Sequence, residues 1–392
     1  MRRLKVAHVI TRLDLGGAQR NTLYTWTHLD PRRFQALLIC GRGGLLDEEA
    51  CAAAAVSGGP RLLWLPALVR EVSPARDLLA LLGLWNLFLA ERPDVVHTHS
   101  SKAGVLGRLA ARLAGVPVLV HTCHGFGFHE GQRAPLKSAA VSLERFCGGL
   151  SDALIFVSRA NQETAKELGL GDPRRYRLIR SGVELSGLPA KLEARSRRKM
   201  ELGLGRHKLV VASVGNLKPQ KNPEDFLSMA ERVAEACPEA EFLFVGDGPL
   251  RARLEARLLA KGLSGRVVLA GWRRDVAELL TLCDVFVLTS LWEGLPRALV
   301  EAMKSGLPPV CYAVDGVRDV VQDGVNGLLA PPRDAAKLSE GVLRLLGNEA
   351  LRRRLGEAAA ASIGPEFDIG EMVKAQERLY EELTAARPKT DA

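Results

Sequence analysis

Aromatic residues are scarce, at 5% of the 392-residue chain, and no recognition motif accompanies the basic charge. Both facts argue against a nucleic-acid partner. The seven cysteines (Cys40, Cys51, Cys123, Cys147, Cys237, Cys283 and Cys311) form no Cys-x-x-Cys pair. That scatter points to a reducing cytosol and excludes a structural zinc knot. Cys123 adjoins His124, but neighbours on an extended segment point apart, which disfavours a Cys–His nucleophile. No run approaches the ~20 apolar residues of a membrane span. The opening Met-Arg-Arg-Leu-Lys-Val-Ala-His-Val-Ile resembles a signal peptide only briefly. Its apolar run is short and leads into a Gly-Gly turn, so a first strand is the better reading. The sequence shows no Asp-x-Asp at a strand end, no His-rich cluster and no carboxylate cage for Mg²⁺, so it offers no metal site and implies no cofactor.

Hydrophobic residues make up 47% of the chain, enough for two sizeable cores, and the length suits two α/β domains. The net charge of +9 is uneven: residues 1–190 hold 24 Lys+Arg against 16 Asp+Glu, and the rest hold 30 against 29. A basic face of this kind attracts an anionic lipid surface or an acidic substrate.

Apolar runs at 6–10, 35–40, 94–97, 118–121, 153–157 and 176–179 read as strands, separated by helical patterns at 18–29, 76–91, 103–114 and 134–148. The second half repeats the rhythm at 209–214, 241–245, 267–269, 285–288 and 309–312. Alternation of this kind predicts two doubly wound parallel sheets, with ligands beyond the carboxyl ends of the strands. Residues 186–200, a Gly/Pro stretch followed by a charged run, read as the linker between domains at 1–185 and 201–369. The pattern at 76–91 is apolar nearly all round, where one buried stripe would suffice. One side is therefore a candidate for contact with an anionic membrane, with Leu84 and the aromatic loop Phe126-Gly-Phe128 as the contact points.

The most informative stretch is Glu293-Gly-Leu-Pro-Arg-Ala-Leu-Val-Glu301. Pro296 suits a first helical turn, where its missing N–H costs nothing, and Gly306-Leu-Pro-Pro ends the helix. Glu293 then lies just before a helix start that attracts phosphate, and Glu301 lies about two turns in, placed for a neutral polyol such as ribose. Gly16-Gly17-Ala-Gln19 follows the first strand and opens a helix, but lacks the Gly-x-Gly-x-x-Gly spacing of a dinucleotide fingerprint. His124 precedes Gly125, which admits close approach of a ligand. His97 points into the sheet and His99, with Ser100, sits at its edge; both read as structural.

Taken together, Gly16-Gly17-Ala-Gln, Val96-His-Thr-His-Ser-Ser-Lys-Ala-Gly104, His124-Gly-Phe126, Lys218-Pro-Gln-Lys221-Asn, Val245-Gly-Asp-Gly-Pro249, the glutamate pair and Asp323-Gly-Val-Asn-Gly-Leu328 resemble the retaining family-4 glycosyltransferases. Those enzymes have the GT-B architecture, two Rossmann-like doubly wound domains facing a central cleft. The resemblance spans most of the chain, and residues 97–128 look closest to bacterial enzymes of polysaccharide and lipid-linked glycan synthesis. It implies that a last helix at 370–386 crosses back to the first domain, and that no metal takes part. It implies that Lys221, Glu293 and His124 act in catalysis: Lys221 on the leaving diphosphate, Glu293 and His124 on the donor sugar. Gly16 and Gly17 would border the acceptor and donor phosphate, Gly294 and Leu295 the diphosphate, and Glu301 the ribose. Gly246, Gly271 and Trp272 would border the base. Asn216 stands where the family usually has Arg, and Lys218 is placed to stand in for it. The implied partners are a nucleotide-sugar donor, most often UDP-linked, and a glycan or lipid-linked acceptor. The expected location is the cytoplasm, peripheral at the inner membrane face. Two rival readings remain open on the same architecture. A sugar-nucleotide 2-epimerase would need extra acid/base carboxylates and no acceptor. A non-catalytic nucleotide-sugar-binding subunit is suggested by the missing Arg.

Overall fold

The computed structural model describes residues 2–128, 132–186, 195–205 and 208–387. The chain forms two compact units, Met1–Gly182 with Ile369–Ala392, and Val183–Asp368.

In the first unit seven strands form one sheet: β1 (Leu4–Arg12), β2 (Phe34–Gly41), β3 (Arg61–Trp64), β4 (Val95–His99), β5 (Val118–Cys123), β6 (Ala153–Phe156) and β7 (Tyr176–Leu178). They lie in the order β3-β2-β1-β4-β5-β6-β7, and every neighbouring pair is parallel. Side chains alternate between the faces of such a sheet. Ala7, Val9, Val96 and Leu119 therefore pack under helices Pro74–Glu91 and Ser101–Leu113. Val6, Val95, Val118 and Ile155 face the other way, toward the last helix, Ile369–Ala385. That helix is pinned by Arg33, which reaches Glu377 at 3.0 Å and also pairs with Glu381. The chain enters it closely: a Cβ on Gly182 would stand 2.4 Å from the Ile369 Cα.

Six strands make the second sheet: β8 (Leu209–Val214), β9 (Ala240–Val245), β10 (Val267–Leu269), β11 (Val285–Leu288), β12 (Pro309–Tyr312) and β13 (Leu328–Ala330). Their order is β10-β9-β8-β11-β12-β13, again all parallel. In both sheets the order reverses beside the unit's first strand, between β1 and β4 and between β8 and β11. The reversal leaves a crevice beyond the carboxyl ends of those strands.

The structure departs from the sequence reading in four places. β3 and β13, both short edge strands, add to the expected set. Of the expected linker, 187–194 lie outside the described residues, and Arg195–Glu201 is a helix of the second unit, with Arg198 bridging to Asp275 at 2.9 Å. Pro296 is the N-cap of helix Arg297–Lys304 and not part of its first turn. The fourth concerns the apolar helix Pro74–Glu91. Its buried stripe is Ala80, Leu84 and Phe88, while Leu78, Leu79, Leu82 and Leu89 are exposed. Leu84 is therefore core, as is Phe128, which stacks on Phe126 with ring centroids 4.8 Å apart. Neither is free to meet a membrane.

Leu84→Ala should cost about 2–5 kcal/mol of stability through the cavity it leaves, while Leu79→Ala should stay within about 0.5 kcal/mol. Denaturant titration of the two variants checks the assignment; equal losses would mean the buried stripe is misplaced.

Candidate active site

In the second unit the carboxyl ends of β8, β9 and β10 are drawn together by glycines. A Cβ on Gly246 would stand 2.0 Å from the Gly215 carbonyl oxygen, and Gly246 has φ +140°, so no larger residue fits there. The Gly246 N–H donates to the Gly271 carbonyl at 2.9 Å, which sets the β9 and β10 turns side by side with Trp272 half-exposed beside them. After β8 the chain passes through Asn216 and Lys218 into a single tight helical turn, Pro219–Lys221. The Lys221 stem packs over Gly215, where a Cβ would meet its Cγ and Cδ at 3.4 Å.

The loop after β11 is stitched to this turn. The Thr289 hydroxyl donates to the Lys221 carbonyl at 2.9 Å, and the Leu291 N–H donates to the Gln220 carbonyl at 2.9 Å. The Gln220 side chain donates to the Trp292 carbonyl at 2.9 Å. These bonds bring the Lys221 ammonium into a hydrogen-bonded ion pair with the buried Glu293 carboxylate. Asp315 holds the Glu293 backbone, accepting its N–H at 2.9 Å from a residue with φ +24°. The sequence reading missed Asp315; the only signal was an Asp-Gly pair just past β12. Leu295 is buried, and Arg297 lies 3.8 Å from Glu301 one turn along the same helix. Lys221 and Glu293 thus meet directly, beside Asn216 and Lys218, at the point where the strand order reverses.

In the first unit Gly16 caps helix Gly17–His28 after β1. Ser100, after β4, has φ +62° and ψ 158°, a conformation nearly confined to glycine, and its hydroxyl is held by Thr11 at 2.8 Å. Strain of this kind persists where surrounding contacts over-determine it.

The sequence shows no His-rich tract, but the fold assembles a histidine cluster from β1, β4 and the residue after β5. His8 Nδ1 lies 3.1 Å from His99 Nε2, and His99 Nδ1 lies 3.2 Å from His124 Nε2. The His97 ring lies tilted against His99, centroids 4.2 Å apart, and is itself held at both nitrogens, by the Tyr380 hydroxyl at 2.6 Å and Thr122 at 2.7 Å. Burial pushes these rings toward neutrality: His8 falls to about 3 and His124 to about 4, and His97 and His99 drop well below the usual range. Nitrogens of His8, His97 and His99 lie within 4.8 Å of one another, close enough for a metal. An ion there would have to break the bonds His97 makes to Tyr380 or Thr122. The Cys123 thiol is pushed up to about 12 by burial, so it is no nucleophile.

Known proteins fit this geometry. Residues 16–182 match the glycosyl transferase 4-like domain, and residues 195–362 match the glycosyl transferases group 1 model. The chain is 36% identical over 353 residues to the Escherichia coli UDP-Gal:alpha-D-GlcNAc-diphosphoundecaprenol alpha-1,3-galactosyltransferase, covering 89% of each chain. It is 29% identical to the Campylobacter jejuni N,N'-diacetylbacillosaminyl-diphospho-undecaprenol alpha-1,3-N-acetylgalactosaminyltransferase, over 68% of this chain and 71% of that one. Among solved structures, Anabaena Alr3699/HepE in complex with UDP and glucose superposes with a TM-score of 0.82 at 21% identity, over 97% of this chain and all of that one. The class is a GT-B glycosyltransferase. The chain belongs to the family-4 glycosyltransferases.

The histidine cluster sets a pH dependence. Rings held neutral in the folded state gain protons on unfolding once the pH drops below the unfolded value of about 6.5. The unfolded state then binds more protons, so stability falls with acid, by up to about 1.4 kcal/mol per pH unit for each buried ring. For His8 and His124 the window runs from about 6.5 down to about 3 and about 4. Melting curves across pH 7 to 5 should show this slope, and His8→Phe should reduce it by about one proton. An unchanged slope would mean His8 is charged in the fold.

Proposed function

We propose that this chain transfers a sugar from a nucleoside-diphosphate donor to a lipid-linked glycan, with retention of configuration and without a metal. The Lys221–Glu293 pair at the reversal point of the second sheet carries this reading. A diphosphate arriving there competes with Glu293 for the Lys221 charge and frees the carboxylate for donor-sugar hydroxyls. Glu301 holds the ribose, and the Gly294 and Leu295 amides hold the diphosphate. Asn216 brings no charge to the turn, so Lys218 and the helix start beside Arg297 carry more of the load. The Gly246 and Gly271–Trp272 turns border the base, which we take to be uracil; the UDP-linked names of the E. coli relative and the Anabaena structure support that choice. The first unit takes the acceptor, with Gly16 and Gly17 at its phosphate edge and His124 toward the donor sugar. Retention follows a same-face route in which the departing phosphate accepts the acceptor's proton, and stabilising that phosphate is the largest catalytic term. The diphosphoundecaprenol acceptors named for both bacterial relatives support a lipid-linked acceptor in cell-surface polysaccharide synthesis.

A donor screen by thermal shift, then product analysis with a diphosphate-linked lipid acceptor, tests the activity; an epimerised donor without acceptor product would overturn it. Lys221→Ala should cut turnover by ~10²-fold or more, because its charge matters most as the diphosphate departs. Glu301→Ala should chiefly weaken donor binding, since a ribose contact is alike in ground and transition states. EDTA should leave the wild-type rate intact. If both variants alter only donor affinity, Lys221 has the wrong role.

We further propose that the enzyme works in the cytoplasm, peripheral on the inner membrane face. No described helix is long and apolar enough to cross a membrane. The exposed row Leu78, Leu79 and Leu82 lies in a half of the chain rich in Lys and Arg, and that pairing supports a reversible anionic contact. The protein should sediment with anionic vesicles at low salt and detach as salt rises, and Leu79→Glu with Leu82→Glu should abolish binding. Wild type left in the supernatant at low salt would rule the contact out.

A further inference from the structure

A cavity of about 50 Å³ opens at the end of β5 in the first unit, with Ser101, Arg108, His124, Gly125 and Glu144 among its walls. Arg108 is fully buried. Its Nε donates to the Gly104 carbonyl at 2.7 Å and its Nη2 donates to Glu144 at 2.8 Å. Gly104 makes the room, since a Cβ there would stand 2.6 Å from His121 Cε1 and 3.4 Å from Arg108 Nη2. Arg108 Nη1 is buried and, among the described residues, has no partner. A buried guanidinium N–H left unpaired costs free energy that a ligand oxygen would recover.

His124 Nδ1 is a second buried nitrogen without a described partner. Its protonation follows from the row behind it. Each neutral imidazole carries one N–H, so the row His8–His99–His124 must donate in a single direction. Donation from His124 toward His8 would leave an N–H at His8 Nε2, which is buried with no described partner. Donation the other way places the unpartnered N–H at His124 Nδ1 instead, and His124, unlike His8, lines the cavity, where a ligand oxygen can accept it. Donation therefore runs from His8 Nδ1 to His99 Nε2, and from His99 Nδ1 to His124 Nε2. His124 Nδ1 is then an N–H donor.

Two unpartnered donors, one on a permanent cation, thus belong to walls of the same cavity. Ser101 adds the start of the helix Ser101–Leu113, where Ser100 makes no side-chain capping bond. That end of a helix favours negative charge.

We propose that this cavity is a phosphoryl-binding subsite, with Arg108 Nη1 and His124 Nδ1 donating to phosphate oxygens and His99 and His8 positioning the His124 ring. The assignment rests on the glycosyltransferase reading and deepens it, because a diphosphate-linked acceptor brings a second diphosphate besides the donor's. It also moves His124 from the donor sugar to this phosphate, because its Nε2 is already engaged by His99. Only Nδ1 remains for substrate.

Isothermal titration with geranyl diphosphate and with UDP, on the full chain, tests the site. Ser101→Asp places a negative charge at the cavity wall, at an exposed first helical position where Asp suits the helix, so it should fold even if Arg108→Met does not. Each variant should weaken geranyl diphosphate by ~10-fold or more and change UDP by less than ~2-fold, which identifies the acceptor's diphosphate as the occupant. Loss of UDP affinity with geranyl diphosphate unchanged would assign the same subsite to the donor's diphosphate. If wild type binds no geranyl diphosphate and neither folded variant alters UDP, the subsite does not exist. ¹⁵N spectra of the histidine rings should show His124 protonated at Nδ1; protonation at Nε2 would overturn the direction of the row. Failure of UDP to bind at all, with geranyl diphosphate still bound through Arg108, would count against the glycosyltransferase reading and leave the subsite standing.

Discussion

A parallel sheet ends all its strands at one edge, and where the strand order reverses, the two connecting chains leave that edge in opposite directions. Each unit here places candidate site residues at that gap. Between β1 and β4 it holds Gly16, Thr11 and Ser100, the last in a backbone conformation kept in place by the Thr11 hydroxyl. Between β8 and β11 it holds the Lys221–Glu293 pair, fixed by three bonds between the two loops. Glycine is needed at 246 because the backbone of the neighbouring strand end, at Gly215, lies 2.0 Å from where a Cβ would stand. The sites follow from the winding of the chain, and the side chains finish what the winding begins.

The winding was largely legible in the sequence. Inner strands such as β1, β5, β8 and β11 are buried on both faces and therefore read as continuous apolar runs. Of the edge strands, β13 escaped notice because its three residues are hemmed between Gly327 and Pro331, and β3 because none of its residues is fully buried. β3 also begins on an exposed arginine, so it carries little pattern of its own. Helix Pro74–Glu91 was legible as a helix but not in its facing. With leucines nearly all round, periodicity cannot say which stripe is buried, and only contact with Ala103, Ala110 and the sheet decides for Ala80, Leu84 and Phe88.

The candidate site was legible to the extent that its residues are close in sequence. Lys218–Lys221 and Glu293–Glu301 each announce themselves through local turn and helix chemistry. That Lys221 and Glu293 neutralise each other could not be read, because 72 residues separate them and the pair depends on loop bonds to backbone carbonyls. The histidine cluster was hidden for the same reason in stronger form: His8 meets His99 across 91 residues and His99 meets His124 across 25. Isolated histidines on separate strands have no sequence signature. They become a unit only when β1, β4 and β5 lie side by side in register.

The two units therefore present opposite electrostatics at equivalent places. In the second, a lysine and a buried glutamate meet as a hydrogen-bonded ion pair between two loops. In the first, burial holds the histidines neutral, and the permanent charge at the site is Arg108 against Glu144. Neutral imidazoles bind through direction, not charge: each must donate on one side and accept on the other. A row of them transmits a constraint from the buried end at His8 to the end at His124 without moving a net charge. Had His99 been ionised it would donate at both nitrogens, and His124 would present its Nδ1–H whatever His8 did. The low pKa that burial imposes on His99 is thus what ties the nitrogen presented at His124 to the buried ring of His8.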